Sequence, residues 1–211
     1  GSGLVGEDTV VVPLQNGLDS ITVLRDALGS GHVCGGLCRL YGYIEAPGRI
    51  VCPSDAASLH FGGIGGGSPG ASNPKLRQLA EAFSAAGLSA SLLEDVWPEV
   101  WRKFATISCM SAVGSVTRAR MGEVVDSPRT LALLEQCLRE VCAVAAAKGV
   151  PLADLDPRVT VGMLRQKLPR EFQPSMARDV LDGRPSELES QVGTVVRMGE
   201  ELGVPTPAFS V

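Results

Sequence analysis

The hydrophobic pattern of the chain changes rhythm once, near Glu94. Before that point apolar residues come in short runs cut by glycine and proline. After it they recur every three or four residues over long stretches. Residues 9–14 (TVVVPL) form a β-branched run that predicts a buried strand, and Gln15-Asn16-Gly17 is a turn at its carboxyl end. Asp19 or Ser20 is placed to cap a short helix to Leu28, whose Ile21, Leu24 and Leu28 share one face. Residues 33–62 have no helical period. Strands are expected over 34–44, 49–52 and 58–61, with a turn at Ala46-Pro47-Gly48, as an antiparallel meander at a sheet edge. A glycine-rich loop, 62–73, then leads to a helix opened by Pro74 and closed by Gly87, and to a strand over 89–93.

The second half reads as helix with short breaks. Helices are expected over 97–116, over 128–148 with Ser127 as cap, over 175–181, and over 186–202 with Ser186 as cap. Residues 150–174 read as irregular. The resulting division is 1–94 and 95–211, a mixed α/β part followed by an all-α part.

Composition narrows the function classes. The chain has 211 residues, 45% hydrophobic and 20% charged, enough for a real core and unlike a disordered segment. A net charge of −4 with scattered arginines gives no electrostatic case for nucleic acid. Apolar runs are too short to span a bilayer, and the first residues lack the pattern of a signal peptide, so no membrane partner is expected. Six cysteines without a CxxC, and only two histidines, argue against a metal site and fit a reducing, cytoplasmic setting. Gly1-Ser2 has the composition of a cloning remnant, and the chain stops at Val211 as a new element begins, so both ends read as cut.

Gly65, Gly67 and Gly70 match G-x-G-x-x-G between a strand and a helix, the pattern of a dinucleotide phosphate cradle. Three features argue against that role. Pro69 removes a backbone donor inside the motif, the helix opens late at Asn73-Pro74, and the preceding strand is read as part of a meander rather than a parallel crossover.

Lys103 lies on an apolar helix beside Trp97 and Trp101, where partial desolvation would make it a better proton donor; a snorkelling lysine is the plainer alternative. Ser111 is eight residues on, on roughly the same face, and its hydroxyl either binds a carboxylate or bonds back to the helix. Ser175 and Asp179 are four apart on the short helix, with Ser175 placed to cap it. Glu187 either binds a ligand or favours the helix dipole. Asn16 is either a turn residue or a ligand contact at the end of a sheet strand.

Taken in order, these segments resemble one family. Residues 10–18 (VVVPLQNGL), 101–104 (WRKF), 111–122 (SAVGSVTRARMG), 174–179 (PSMARD), 183–188 (GRPSEL) and 203–207 (GVPTP) look like successive motifs of the ketopantoate reductases. The resemblance covers nearly the whole chain. It implies the later part of a Rossmann-type domain followed by a helical substrate domain of the 6-phosphogluconate dehydrogenase type, with the phosphate-binding front of the cofactor domain lying before Gly1. It implies NADPH as cofactor, a small-molecule 2-keto acid as substrate, and is compatible with a homodimer. Lys103 and Glu187 would be catalytic, Ser111, Ser175 and Asp179 would bind substrate, and Asn16 with Gly17 would contact the cofactor and orient Lys103. Ile107, Ser111 and Met121 stand where well-known members carry asparagines, so the resemblance implies a pocket with different hydrogen bonding, compatible with a relative of ketopantoate as substrate. Two rival readings are a repurposed, non-redox binding or cyclase-like protein without its nucleotide half, and a structural helical module that dimerises.

Overall fold

The computed structural model describes residues 2–40, 42–52 and 57–211, which form two compact units, Gly1–Val100 and Trp101–Val211. In the first, an extended segment meets its neighbour at one parallel bridge, Val11 with Val33. The expected strand over 9–14 is thus reduced to a single bridge, because Pro13 has no N–H to donate to a ladder. Helix α1 (Asp19–Leu28) ends at Gly29, whose φ of 89° suits glycine.

The expected strand over 34–44 splits in two. β1 (Gly35–Arg39) belongs to a three-stranded sheet, while β2 (Tyr43–Ala46) pairs with β3 (Arg49–Val51) as a separate hairpin. In the three-stranded sheet β4 (Ser58–Gly62) is central, antiparallel to β1 and parallel to β5 (Ser89–Leu93). The antiparallel pairing expected over 34–61 is present, but helix α2 (Pro74–Ala85) joins β4 to the parallel β5, so β4 also opens a β–α–β crossover that the sequence argument had excluded. The long loop and the helix after it made the return parallel. Asn73 caps α2 by accepting from the N–H groups of Lys75 and Leu76 at 2.9 and 3.3 Å. One face of α2, with Leu76, Leu79, Ala80 and Phe83, closes over Cys34 and Phe61, and Phe61 lies edge-on to Phe83 at 6.1 Å.

Helix α3 (Trp97–Thr117) runs from the first unit into the second. In the second unit it is followed by α4 (Met121–Asp126), α5 (Pro128–Ala147), α6 (Pro157–Lys167), α7 (Ser175–Leu181), a π turn (Glu189–Gly193) and α8 (Thr194–Leu202). Helix α6 occupies part of the stretch read as irregular. Asp156 caps it, accepting from the N–H groups of Arg158 and Val159, and Pro157 opens it, a start signal weaker in hydrophobic period than in capping chemistry. Ser127 precedes α5 without a side-chain capping bond. Leu134, Cys137, Leu138, Val141, Val144 and Ala145 of α5 are buried at helical spacing and form the apolar stripe of this unit. Gly122 lets α4 approach residue 170 closely: its N–H donates to the Arg170 carbonyl at 3.0 Å, and a Cβ there would meet that oxygen at 2.8 Å.

Glu140 is a buried acid, only 4% exposed, among these apolar residues. Its carboxylate accepts from the backbone N–H of Ala208 at 3.0 and 3.1 Å, from that of Phe209 at 3.3 Å, and from Gln136 Nε2 at 3.0 Å. These donors offset the cost of burying a charge and fasten the C-terminal turn to α5. Glu140→Ala strands two backbone donors and is expected to destabilise the protein by about 2–3 kcal/mol. Glu140→Gln, which keeps one acceptor oxygen, should cost less. Urea unfolding of the two variants against the parent checks the order.

The described cysteines are all free thiols. Burial pushes Cys34 from the ordinary value of 9.0 up to about 11 and Cys137 up to about 12, and raises Cys109 and Cys142. The native state therefore keeps protons that the unfolded chain releases above pH 9, so stability falls as pH rises from about 9 towards 11. A thiol reagent at neutral pH is expected to modify exposed Cys52 rapidly, and Cys34, Cys109 and Cys137 only on unfolding. Mass mapping of the labelled positions before and after denaturation reads this out.

Candidate functional site

In the first unit Asn16 and Gly17 lie in the bend that follows the extended segment and leads into α1. Gly17 is buried with φ 91°, so the reversal requires glycine. Asn16 is half-buried at the carboxyl end of that segment, the side on which α/β sheets receive ligands.

The glycine loop bonds largely to itself. Ile64 N–H donates to Ser68 Oγ at 2.8 Å, Ser68 N–H to the Gly65 carbonyl at 3.2 Å and Asn73 N–H to the Gly70 carbonyl at 2.9 Å, while Pro69 is buried and offers no donor. Arg25 binds the Gly66 carbonyl at 3.1 Å. The loop does sit in a parallel crossover, contrary to one premise of the sequence argument, but α2 begins only at Pro74.

In the second unit α3 carries Lys103 and Ser111. Two turns separate them, about 12 Å along the axis, and Ile107 lies between on the same stripe. Lys103 is half-buried, next to Trp101 and Phe104, which are buried and meet edge-on at 5.7 Å. Ser111 is fully buried. Thr106 and Ser108 of α3 bond back to the preceding turn: Thr106 Oγ1 donates to the Arg102 carbonyl at 2.9 Å and Ser108 Oγ to that of Phe104 at 2.6 Å. Ser111 Oγ does not, nor does Ser115 Oγ, and neither has a hydrogen-bond partner among the described residues. Of the two readings of Ser111, back-bonding to the helix is therefore absent. A buried hydroxyl left so costs about 1–3 kcal/mol unless a ligand or water meets it.

Ser175 is the first residue of α7, half-buried, and does not cap it; Pro174 stands at the cap position and no side-chain bond is made there. Asp179, one turn on, is ion-paired with Arg184 at 2.9 Å, and Arg184 also reaches Asp182 at 2.9 Å. Asp179 thus ties α7 to the turn that leads to Glu187. Glu187 precedes the π turn and is half-buried. Its carboxylate accepts from Gln191 Nε2 at 2.6 Å, and its carbonyl from Gln191 N–H at 2.9 Å and Ser190 Oγ at 3.2 Å. The π turn was not read in the sequence. It holds Arg197 against Glu189, with bonds of 2.8 Å to both carboxylate and carbonyl.

Met121 is 1% exposed, and a Cβ added at Gly114 would meet its methyl at 3.3 Å and that of Ala177 at 3.4 Å, so this position belongs to the apolar core. An apolar cavity of about 280 Å³ opens between α3, α5 and the C-terminal turn, lined by Val113, Ser115, Val116, Cys137, Leu188 and Phe209 among others. Among the described residues no three acidic, cysteine or histidine side chains gather as metal ligands, and no helix is long and apolar enough to cross a membrane.

The architecture is that of an α/β unit of Rossmann type joined to a helical unit. Solved structures share it: a D-mandelate dehydrogenase in complex with NADH superposes with TM-score 0.84 at 20% identity over 99% of this chain and 69% of that one. A PanE/ApbA family ketopantoate reductase from Ralstonia eutropha does so with TM-score 0.83 at 25% identity, over 99% and 66%. Family models for ketopantoate reductase PanE/ApbA match residues 2–65, and for its C-terminal part residues 95–211. The chain belongs to the ketopantoate reductase PanE/ApbA family. A 2-dehydropantoate 2-reductase of Nostoc sp. is 30% identical over 98% of this chain, and one of Streptococcus pyogenes 27% identical over 97%. The chain spans 64% and 65% of the length of those two proteins.

Proposed function

We propose that the intact protein reduces a 2-keto acid, ketopantoate or a close relative, with NADPH as reductant. The observation that carries this reading is on α3: a half-buried lysine and, two turns away, a buried serine hydroxyl without a protein partner. A cation that can give a proton and a hydroxyl that can hold a carboxylate oxygen are what a 2-keto acid requires.

The cofactor supplies the hydride. Asn16 and Gly17 fit its nicotinamide end, since an amide can both donate and accept and the glycine lets the backbone come close. Lys103 Nζ polarises the keto oxygen and gives it a proton as negative charge develops, leaving a 2-hydroxy acid. Glu187 accepts a hydrogen bond from a substrate hydroxyl. Ser175 and Ser111 hold the carboxylate or neighbouring oxygens, and Asp179 binds substrate indirectly, through the Arg184 turn.

The test is a steady-state assay of NADPH and NADH oxidation by the intact protein against 2-keto acids with and without a 4-hydroxyl. Turnover with NADPH and preference for the hydroxylated acid are expected. Binding of the acids without oxidation of either cofactor would favour the non-redox alternative.

A further inference from the structure

We propose that Gln191 is a positioning residue that aims the Glu187 carboxylate at the substrate hydroxyl. The proposal rests on the reading of Glu187 as the acceptor of that hydroxyl.

Gln191 is fully buried in the π turn. Its Nε2 donates to Glu187 Oε2 at 2.6 Å while its backbone N–H donates to the Glu187 carbonyl at 2.9 Å, so one residue grips both ends of the other. An ionised carboxylate can only accept, which fixes the amide with its nitrogen towards Glu187. The amide oxygen is thereby turned into the interior, where it has no hydrogen-bond partner. A position chosen for packing alone would carry an apolar side chain of this length and avoid an unmet acceptor. The glutamine weakens the fold locally and strengthens one bond, to a carboxylate that the family reading places on substrate. π turns recur at functional sites, and this one sets the residue that holds Glu187 on its inner side.

Gln191→Met in the intact protein keeps length and removes both polar atoms. Its kcat/KM for a 2-keto acid bearing the hydroxyl is expected to fall roughly 10-fold, the scale of one charge-assisted hydrogen bond. The value for the same acid without the hydroxyl should not change, and the unfolding midpoint should hold or rise. Gln191→Glu, which sets a carboxylate against a carboxylate, should lose at least as much discrimination. Full discrimination in Gln191→Met alongside its loss in Glu187→Ala overturns the role of Gln191 and leaves that of Glu187 standing. A lowered midpoint with equal losses for both acids marks Gln191 as structural and also overturns the proposal. Undiminished discrimination in Glu187→Ala removes the reading beneath both.

Discussion

Lys103→Ala is expected to lower the turnover of the intact protein by roughly 10²–10⁴, the range for a positioned general acid. The magnitude follows from what the substitution removes. Alanine is the best helix former, and the neighbouring Trp101 and Phe104 contact is undisturbed, so α3 should persist. What disappears is one half-buried ammonium group, to which the proposed function assigns both proton transfer and charge stabilisation. Cofactor affinity should change far less, since none of the residues assigned to the nicotinamide is touched. Lys103→Arg separates the two contributions: a guanidinium retains charge but does not release its proton. It should recover little of kcat if proton donation dominates and much of it if charge alone suffices. Single-turnover kinetics at saturating substrate measures the chemical step directly, and an alanine variant with near wild-type turnover removes Lys103 from the mechanism.

Glu187→Ala is the second large effect, expected to reduce kcat/KM about 10-fold or more, because a charge-assisted hydrogen bond is worth roughly 1.5–3 kcal/mol. A glutamate acting only through a helix dipole contributes about 0.3–1 kcal/mol, all of it to stability. The melting temperature should therefore shift by only a few degrees while the catalytic loss is larger. Removing the hydroxyl from the substrate should cost much on the parent and little further on the mutant, whose acceptor is already gone. If the penalty is as large on both, Glu187 does not read that hydroxyl. The structure gives the acid a partner that the dipole reading does not need, the Gln191 amide at 2.6 Å.

Much of this was legible in the sequence for a physical reason. Helices α1, α2, α3, α5 and α7 lie close to where the hydrophobic period places them, since a long amphipathic stripe admits few alternatives, although the side-chain caps expected for α1, α5 and α7 are not made. The parallel pairing of β4 with β5 was not legible, because strand direction is set by the crossover and leaves little trace in either strand. Helix α6 was missed because only its cap, not its hydrophobic period, announces it. The family motifs marked Lys103, Ser111, Ser175 and Glu187, yet the unmet Ser111 hydroxyl and the Gln191 clamp depend on rotamers and burial, which no spacing encodes. Glu140 was invisible for the same reason: its backbone donors come from residues 68 and 69 positions away.

The π turn at Glu189–Gly193 has a bearing on how this region can change. A π turn closes over one residue more than an α turn, and each helical residue turns the chain by about 100°. Deleting a single residue there would let α8 continue as regular helix backwards through the turn. Side chains before and after it would keep nearly the same relative direction, because the wider turn has already absorbed the extra residue. A further length change in the regular helix that results would instead turn Glu187 against α8 by about 100°. The π turn thus buffers the aim of Glu187 against the gain or loss of one residue between positions 187 and 194, and a second such change would be expected to alter which substrate group is read.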